Sequence, residues 1–456
     1  MDLLNLPWFR RTWTVQELVL AREAIVLLGA KSIPWKSLRN ALLDLQERDN
    51  FLLGHSVRKS VSNPASFHDE LWCYSTLANL SCTSYVPHEN LMSTSLKVVR
   101  TKKSSNPKDK VYGLYGILDQ MKIPHLPKVD YTKSVQQIYT EIARATIEND
   151  KSLDILQELH LPSSVLNLPS WVPDWSNTDY TKPISHLHSA SMDSKASWEF
   201  CGSELTVVGT LIDELTDIAP SSSTSTPEFR RGYNARRNDL GAPLKRRQAT
   251  TELVLTLQAW VRHSRRLNTY PTGCSVMQAF FFLLRGSARL VEDMRPRMDD
   301  FEDFEDFISI LMANDPNNNI SLTTLYDMVR YKPGFKEIKE DFIHICGCST
   351  HIEDWSDEMK IRLFLKVYSP AVASIQHDFS LNTYHRAFFT TKDGYIGIGP
   401  RWARSGDSVA LVAGLMVPFV VRADGSKYRI IGPARIHGVE LGERWDESQL
   451  EMLTFI

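Results

Sequence analysis

Between Pro7 and Glu47 the chain reads as helix, strand, helix, and a lone strand cannot cover its own two faces. Ala24-Ile25-Val26-Leu27-Leu28-Gly29 is apolar throughout and ended by glycine. That is the pattern of a strand buried in a parallel sheet with both faces covered. The helix before it runs from Arg11 to Leu20 without Gly or Pro, and Pro7 stands where a helical start accepts it. The helix after it starts near Pro34 and carries Leu38, Leu42 and Leu45 on one stripe. The sheet that should flank residues 24–29 is expected upstream of Met1 or is missing.

Within the first helix Trp13 and Glu17 are four residues apart and share a face. A carboxylate held against an indole is partly desolvated, a setting in which general acids and bases arise. Pairing of Glu17 with Arg10 or Arg11 in a structural ion pair is the alternative reading of the same residues. Spacing alone leaves both open.

The wording Trp8-Phe9-x-Arg11-x-Trp13-Thr14-Val15-Gln16-Glu17-x-x-Leu20-Ala21 resembles the end of the fungal heterokaryon-incompatibility (HET) domain. HET domains are regarded as distant relatives of Toll/interleukin-1 receptor (TIR) domains, some of which hydrolyse NAD with a glutamate four residues after a tryptophan. The resemblance therefore implies Glu17 as a catalytic carboxylate, Trp13 as the wall of an NAD pocket, and NAD as substrate rather than cofactor. The family's opening Tyr-x-x-Leu-Ser-Tyr-x-Trp-Gly strand should precede Trp8 and does not, so the chain is expected to be N-terminally truncated. Asn106-Pro107-Lys108-Asp109-Lys110-Val111-Tyr112 is similar to a second HET segment, with Asn106 and Lys108 in place of an acid and an arginine. Pro169-Ser170-Trp171-Val172-Pro173-Asp174-Trp175-Ser176, Gly394 to Pro400 and His437 to Glu443 also resemble stretches of HET proteins.

Six domains or segments are expected. Residues 1–50 are the C-terminal remnant of a TIR-like α/β HET domain and 51–180 a helical extension. Residues 181–220 form a β-hairpin joining the C-terminal β part, and 221–250 a disordered linker. A helical insertion at 251–380 and a β-rich domain at 381–456, a small barrel or sandwich, complete a mixed α/β and α+β fold. In the extension, helices are expected at 71–80 and 92–100. Asp109 should cap the helix that follows it, and Ser134 with Gln137 suits a capping box. The hairpin is read as Leu205 to Gly209 turning into Leu211 to Ile218, and Val409 to Val421 as two buried strands joined by a turn.

The chain of 456 residues, 43% hydrophobic and 23% charged with a net charge of -2, is of ordinary globular composition. That charge gives no reason to propose nucleic acid or an anionic membrane as partner. No apolar run is long enough for a membrane span. Six cysteines are too sparse for a disulfide framework, which points to reduced thiols in the cytosol or nucleus, and a cytoplasmic location is expected.

Gly394-x-x-Gly397-x-Gly399 is no dinucleotide fingerprint, because Pro400 closes the strand and no helix follows. His344, Cys346, Cys348 and His351 lack the usual spacing of a zinc site, and the cysteines read as ordinary buried thiols, so no metal is expected. His437 beside Glu440 and Glu443 reads as a loop-stabilising group. The sequence thus suggests a HET-type protein of fungal non-self recognition and programmed cell death, acting by interaction with other chains or with itself. A TIR-like NAD glycohydrolase using Glu17 and a functionless truncated product are the alternatives. With only one strand left of the α/β part, a substrate pocket would lack walls, so enzymatic activity of this chain is not expected.

Overall fold

The computed structural model describes residues 6–41, 90–100, 102–159, 161–177, 189–219, 255–285, 298–313, 322–332, 334–367 and 386–456. The expected helix at 71–80 and the linker at 221–250 lie outside the described residues. Helices α1 (Trp13–Val19), α2 (35–41), α3 (Leu91–Val99), α4 (Asp109–Tyr112), α5 (Tyr115–Gln120) and α6 (Val135–Asp150) belong to the first third of the chain. Helices α7 (255–264), α8 (Val276–Arg285), α9 (Met298–Leu311), α10 (Leu322–Val329), α11 (Phe335–Cys346) and α12 (357–367) follow later. Strands β1 (Ile25–Leu28) and β2 (Lys31–Pro34) stand apart from β3 (Trp198–Cys201) and β4 (Glu204–Ile218). The remaining strands are β5 (Arg386–Thr391), β6 (Ile396–Pro400), β7 (Ser408–Val412), β8 (Phe419–Asp424), β9 (Lys427–Pro433), β10 (Arg435–Ile436) and β11 (Glu451–Phe455).

Among the described residues nine strands make one sheet in which β4 is shared. It pairs antiparallel with β11 through residues 205–209 and with β7 through 209–214, and β11, β9, β8 and β7 then close a ring back onto it. Its last residues pair with β5, which leads to β6 and β10. Register shifts at Leu211/Asp213 and Leu215/Asp217 bend the strand, so that one segment serves both groups of strands. The expected turn at Gly209 is therefore absent: 204–218 is one strand, and its hairpin partner is β3, turning at Gly202. Gly209 marks close approach instead, since a Cβ there would meet the Leu411 carbonyl at 2.5 Å.

Alternation along the strands feeds two separate cores. Val409, Leu411, Val420 and Ile431 pack with Trp260, Phe280, Phe304 and Phe364 of the later helices. Ala410, Val412, Phe419, Val421 and Ile430 pack with Val15, Leu96, Val111, Ile142 and Trp171 of the earlier ones. Covered on both sides, these strands read as continuous apolar runs rather than alternating ones.

The first strand departs from expectation. Gly29, at φ +61°, lets the chain reverse at once, and β1 pairs antiparallel with β2. Ile25, Leu27 and Leu28 stand 65%, 73% and 55% exposed, so this is no covered parallel strand. The TIR-like character expected of residues 1–50 is not confirmed. The structure is a mixed helix and sheet fold with a C-terminal sheet.

The capping box of Ser134 and Gln137 starts α6 as expected. Asp109 does not cap α4. Lys108 holds the cap position, and Asp109 accepts the Tyr131 hydroxyl at 2.7 Å. Gly397 and Gly399, adjacent on one face of β6, leave room for the Phe389 ring of β5. A Cβ at Gly397 would collide with that ring and lie 2.9 Å from the Arg435 carbonyl. Gly397→Ala should therefore destabilise the chain by about 1–3 kcal/mol in urea unfolding, as overpacking of a filled core does.

Candidate functional site

The opening motif is fixed by its own hydroxyls and by a neighbouring strip of main chain. A short 3-10 turn, Pro7–Arg10, precedes α1. Thr14 Oγ1 donates to the carbonyls of Trp8 and Arg11, both at 2.8 Å, which sets the angle between turn and helix. The Thr12 amide donates to the Lys103 carbonyl at 2.9 Å, and the Lys103 amide to that of Arg10 at 2.6 Å. Three buried cations complete the brace. Lys102 Nζ donates to the Phe9 carbonyl at 3.0 Å, and Lys110 Nζ donates to the carbonyls of Arg100 (2.8 Å) and Lys102. The Arg100 guanidinium reaches the carbonyls of Glu158 and Asp174, and the Glu158 carboxylate at 3.7 Å. Burial, helped by the nearby Arg100 charge and opposed by Asp174, lowers the Lys110 ammonium to about 8.

On this base Trp13 is half-buried and Glu17 is exposed to solvent. Val15 and Leu18, on the opposite side of α1, enter the core. The helix thus offers its carboxylate outward.

Trp171 and Trp175 are fully buried, as packing residues should be. The indole of Trp171 donates to the Ser203 carbonyl at 2.8 Å, and Trp175 meets Tyr139 edge to face. Between them Asp174 gathers donors that the sequence reading did not anticipate. Ser164 gives its amide and hydroxyl, both at 2.7 Å, and Ser176 gives its amide at 2.9 Å and its hydroxyl at 2.5 Å. Burial alone would raise this carboxyl, but these hydrogen bonds hold it below the usual carboxylate range.

The second polar cluster lies between the loop before α8 and the loop after β10. His437 stacks between the rings of Tyr270 (5.6 Å) and Phe282 (5.5 Å), and its Nε2 lies 3.8 Å from Cys274 Sγ. Burial depresses the imidazole, with Glu443 acting in the opposite sense. Glu440 is buried beside Arg435, Nε to Oε1 being 3.6 Å. Burial raises its carboxyl to about 8, against the pull of Arg435 and with a contribution from Glu443. Glu443 in turn accepts the Leu441 amide at 2.7 Å, so the loop is braced from within. His344 and Cys346 belong to the end of α11 and His351 lies beyond it, and the thiols expected to be buried are exposed at Cys346 and half-buried at Cys348. Among the described residues no group of three or more His, Cys, Asp or Glu is arranged to hold a metal ion.

Glu440 makes stability depend on pH. Folding raises its pKa from 4.5 to about 8, so over that window the native chain keeps a proton that the unfolded chain has released. The contribution is full below 4.5 and lost as pH rises through 8. Glu440→Gln, neutral at every pH, should lose less stability than the parent across this window in urea titrations.

The profile of the Het-6 beta-barrel domain matches residues 301–452. Over 496 aligned positions the chain is 24% identical to heterokaryon incompatibility protein 6, OR allele, of Neurospora crassa. The alignment takes in 97% of this chain and 65% of that relative. No solved structure matches the chain. These matches and the opening motif together support a fungal heterokaryon-incompatibility protein, similar over residues 301–452 to the Het-6 beta-barrel domain.

Proposed function

We propose that the chain acts in fungal vegetative incompatibility, the process in the name of its Neurospora crassa relative, by associating with other protein chains. The observation that carries the mechanism is Glu17 standing in solvent on a seven-residue helix, beside a hairpin that also exposes its apolar residues. A glycohydrolase needs its carboxylate against a bound ribose with water excluded. Association needs surface, and Ile25, Leu27 and Leu28 supply apolar surface next to the motif. Recognition of non-self and the cell death that follows would then depend on what docks here, with no cofactor, metal or nucleic acid taking part. Among the described residues no helix is long and apolar enough to cross a membrane, which is compatible with action in the cytoplasm. The chain spans about 65% of its relative's length, so the activity of a whole HET protein is itself part of the proposal.

A second reading keeps the TIR-like chemistry, because Trp13 and Glu17 retain the one-turn spacing on a helix. The two separate in one assay. Purified chain should consume NAD no faster than Glu17→Gln, and turnover lost in that variant would establish the enzyme instead. Association is tested by replacing Ile25, Leu27 and Leu28 together with serine. The variant should bind fewer copies or partners in light scattering and pull-down, while its unfolding free energy moves by less than about 1 kcal/mol, since the residues are exposed. Unchanged assembly would remove this surface from the proposal.

A further inference from the structure

We propose that Cys274 is a nucleophilic thiol served by His437 as its base, and a site of covalent modification by small uncharged peroxides. The pair has the elements of an activated nucleophile: sulfur and imidazole in contact, and a base held in orientation by other groups. Cys274 Sγ lies 3.8 Å from His437 Nε2 and 3.2 Å from Thr272 Oγ1. The imidazole is fixed between two rings, with interplanar angles of 29° to Tyr270 and 18° to Phe282. Tyr270 is itself anchored. Its hydroxyl donates to the His437 carbonyl at 2.8 Å and accepts the Ile396 amide at 3.4 Å. Gly438 would collide with Thr272 if it bore a Cβ, so the two loops are in close contact beside this seat.

Burial keeps the ring in its neutral form, and the tautomer with its proton on Nδ1 turns the Nε2 lone pair toward the thiol. Thr272 and Gly273 are exposed and Cys274 is half-buried, so a small solute reaches the sulfur while bulk solvent does not surround it. Hydrogen peroxide satisfies that access. The thiol proton passes to Nε2 as sulfur attacks one peroxide oxygen. The O–O bond breaks, the sulfur is oxidised to a sulfenic acid that keeps the attacked oxygen and its hydrogen, and the departing hydroxide takes the proton from Nε2 to leave as water. Sulfur loses two electrons and the peroxide gains them.

Cys346, exposed at the end of α11, is the internal reference. The full chain is treated with hydrogen peroxide in the presence of dimedone, which traps sulfenic acid, and labelling is followed at each cysteine by peptide mass spectrometry. Cys274 should be labelled at least about tenfold faster than Cys346, a modest share of what a positioned base can supply. His437→Gln should bring it down to the Cys346 rate. Equal rates at the two cysteines in the unsubstituted chain would overturn the proposal without need of any variant. So would a His437→Gln chain with the parent's circular dichroism and unfolding midpoint that labels Cys274 at the original rate.

Discussion

The main-chain pairing of β4 is the constraint to which the rest of the molecule conforms. One fifteen-residue strand hydrogen-bonds to β3, β5, β7 and β11. Buried amides and carbonyls need partners, and a strand this long finds them only if four other segments converge on it. The two register shifts that bend it let a single strand belong to a closed ring at one end and an open extension at the other. The side-chain alternation then assigns the earlier helices to one core and the later helices to another. The matched Het-6 beta-barrel span, 301–452, does not contain this strand.

The motif at the start of the chain is held by a different device. Lys102, Lys110 and Arg100 spend their charge on carbonyl groups, so that a loop without regular pairing is satisfied by side chains in place of a neighbouring strand. This brace explains the lysine in the second HET-like segment. Its role is to hold main chain, and it survives the exchange of the neighbouring acid and arginine for Asn106 and Lys108.

What could be read from the sequence was what short stretches decide alone. Ser134 and Gln137 announce the start of α6 because both partners of the box lie within one turn. Val409 to Val421 announces two buried strands because Gly414 and Pro418 interrupt an otherwise apolar run. Residues 24–29 misled because an apolar run has the same composition whether neighbours cover it or not, and the reversal at Gly29 decided the pairing. Phe389 over Gly397 and Gly399 turned a glycine pattern into a packing site, which only the register of β5 against β6 reveals. At the candidate sites, Trp13 and Glu17 were visible through their spacing, whereas their exposure was not. Cys274 and His437 are separated by 163 positions, and no local pattern joins them.

The sharing of β4 also sets an order on biosynthesis. Thr206 on β4 meets Thr454 on β11 across 248 residues, and Thr216 meets Thr390 across 174. When β4 leaves the ribosome, three of its four partners have yet to be made, and its edges stay open until the last strand arrives. Pairing over such separations is slow. The nascent chain must therefore spend much of its synthesis with a fifteen-residue strand short of its partners, a burden that falls on whatever chaperones attend it.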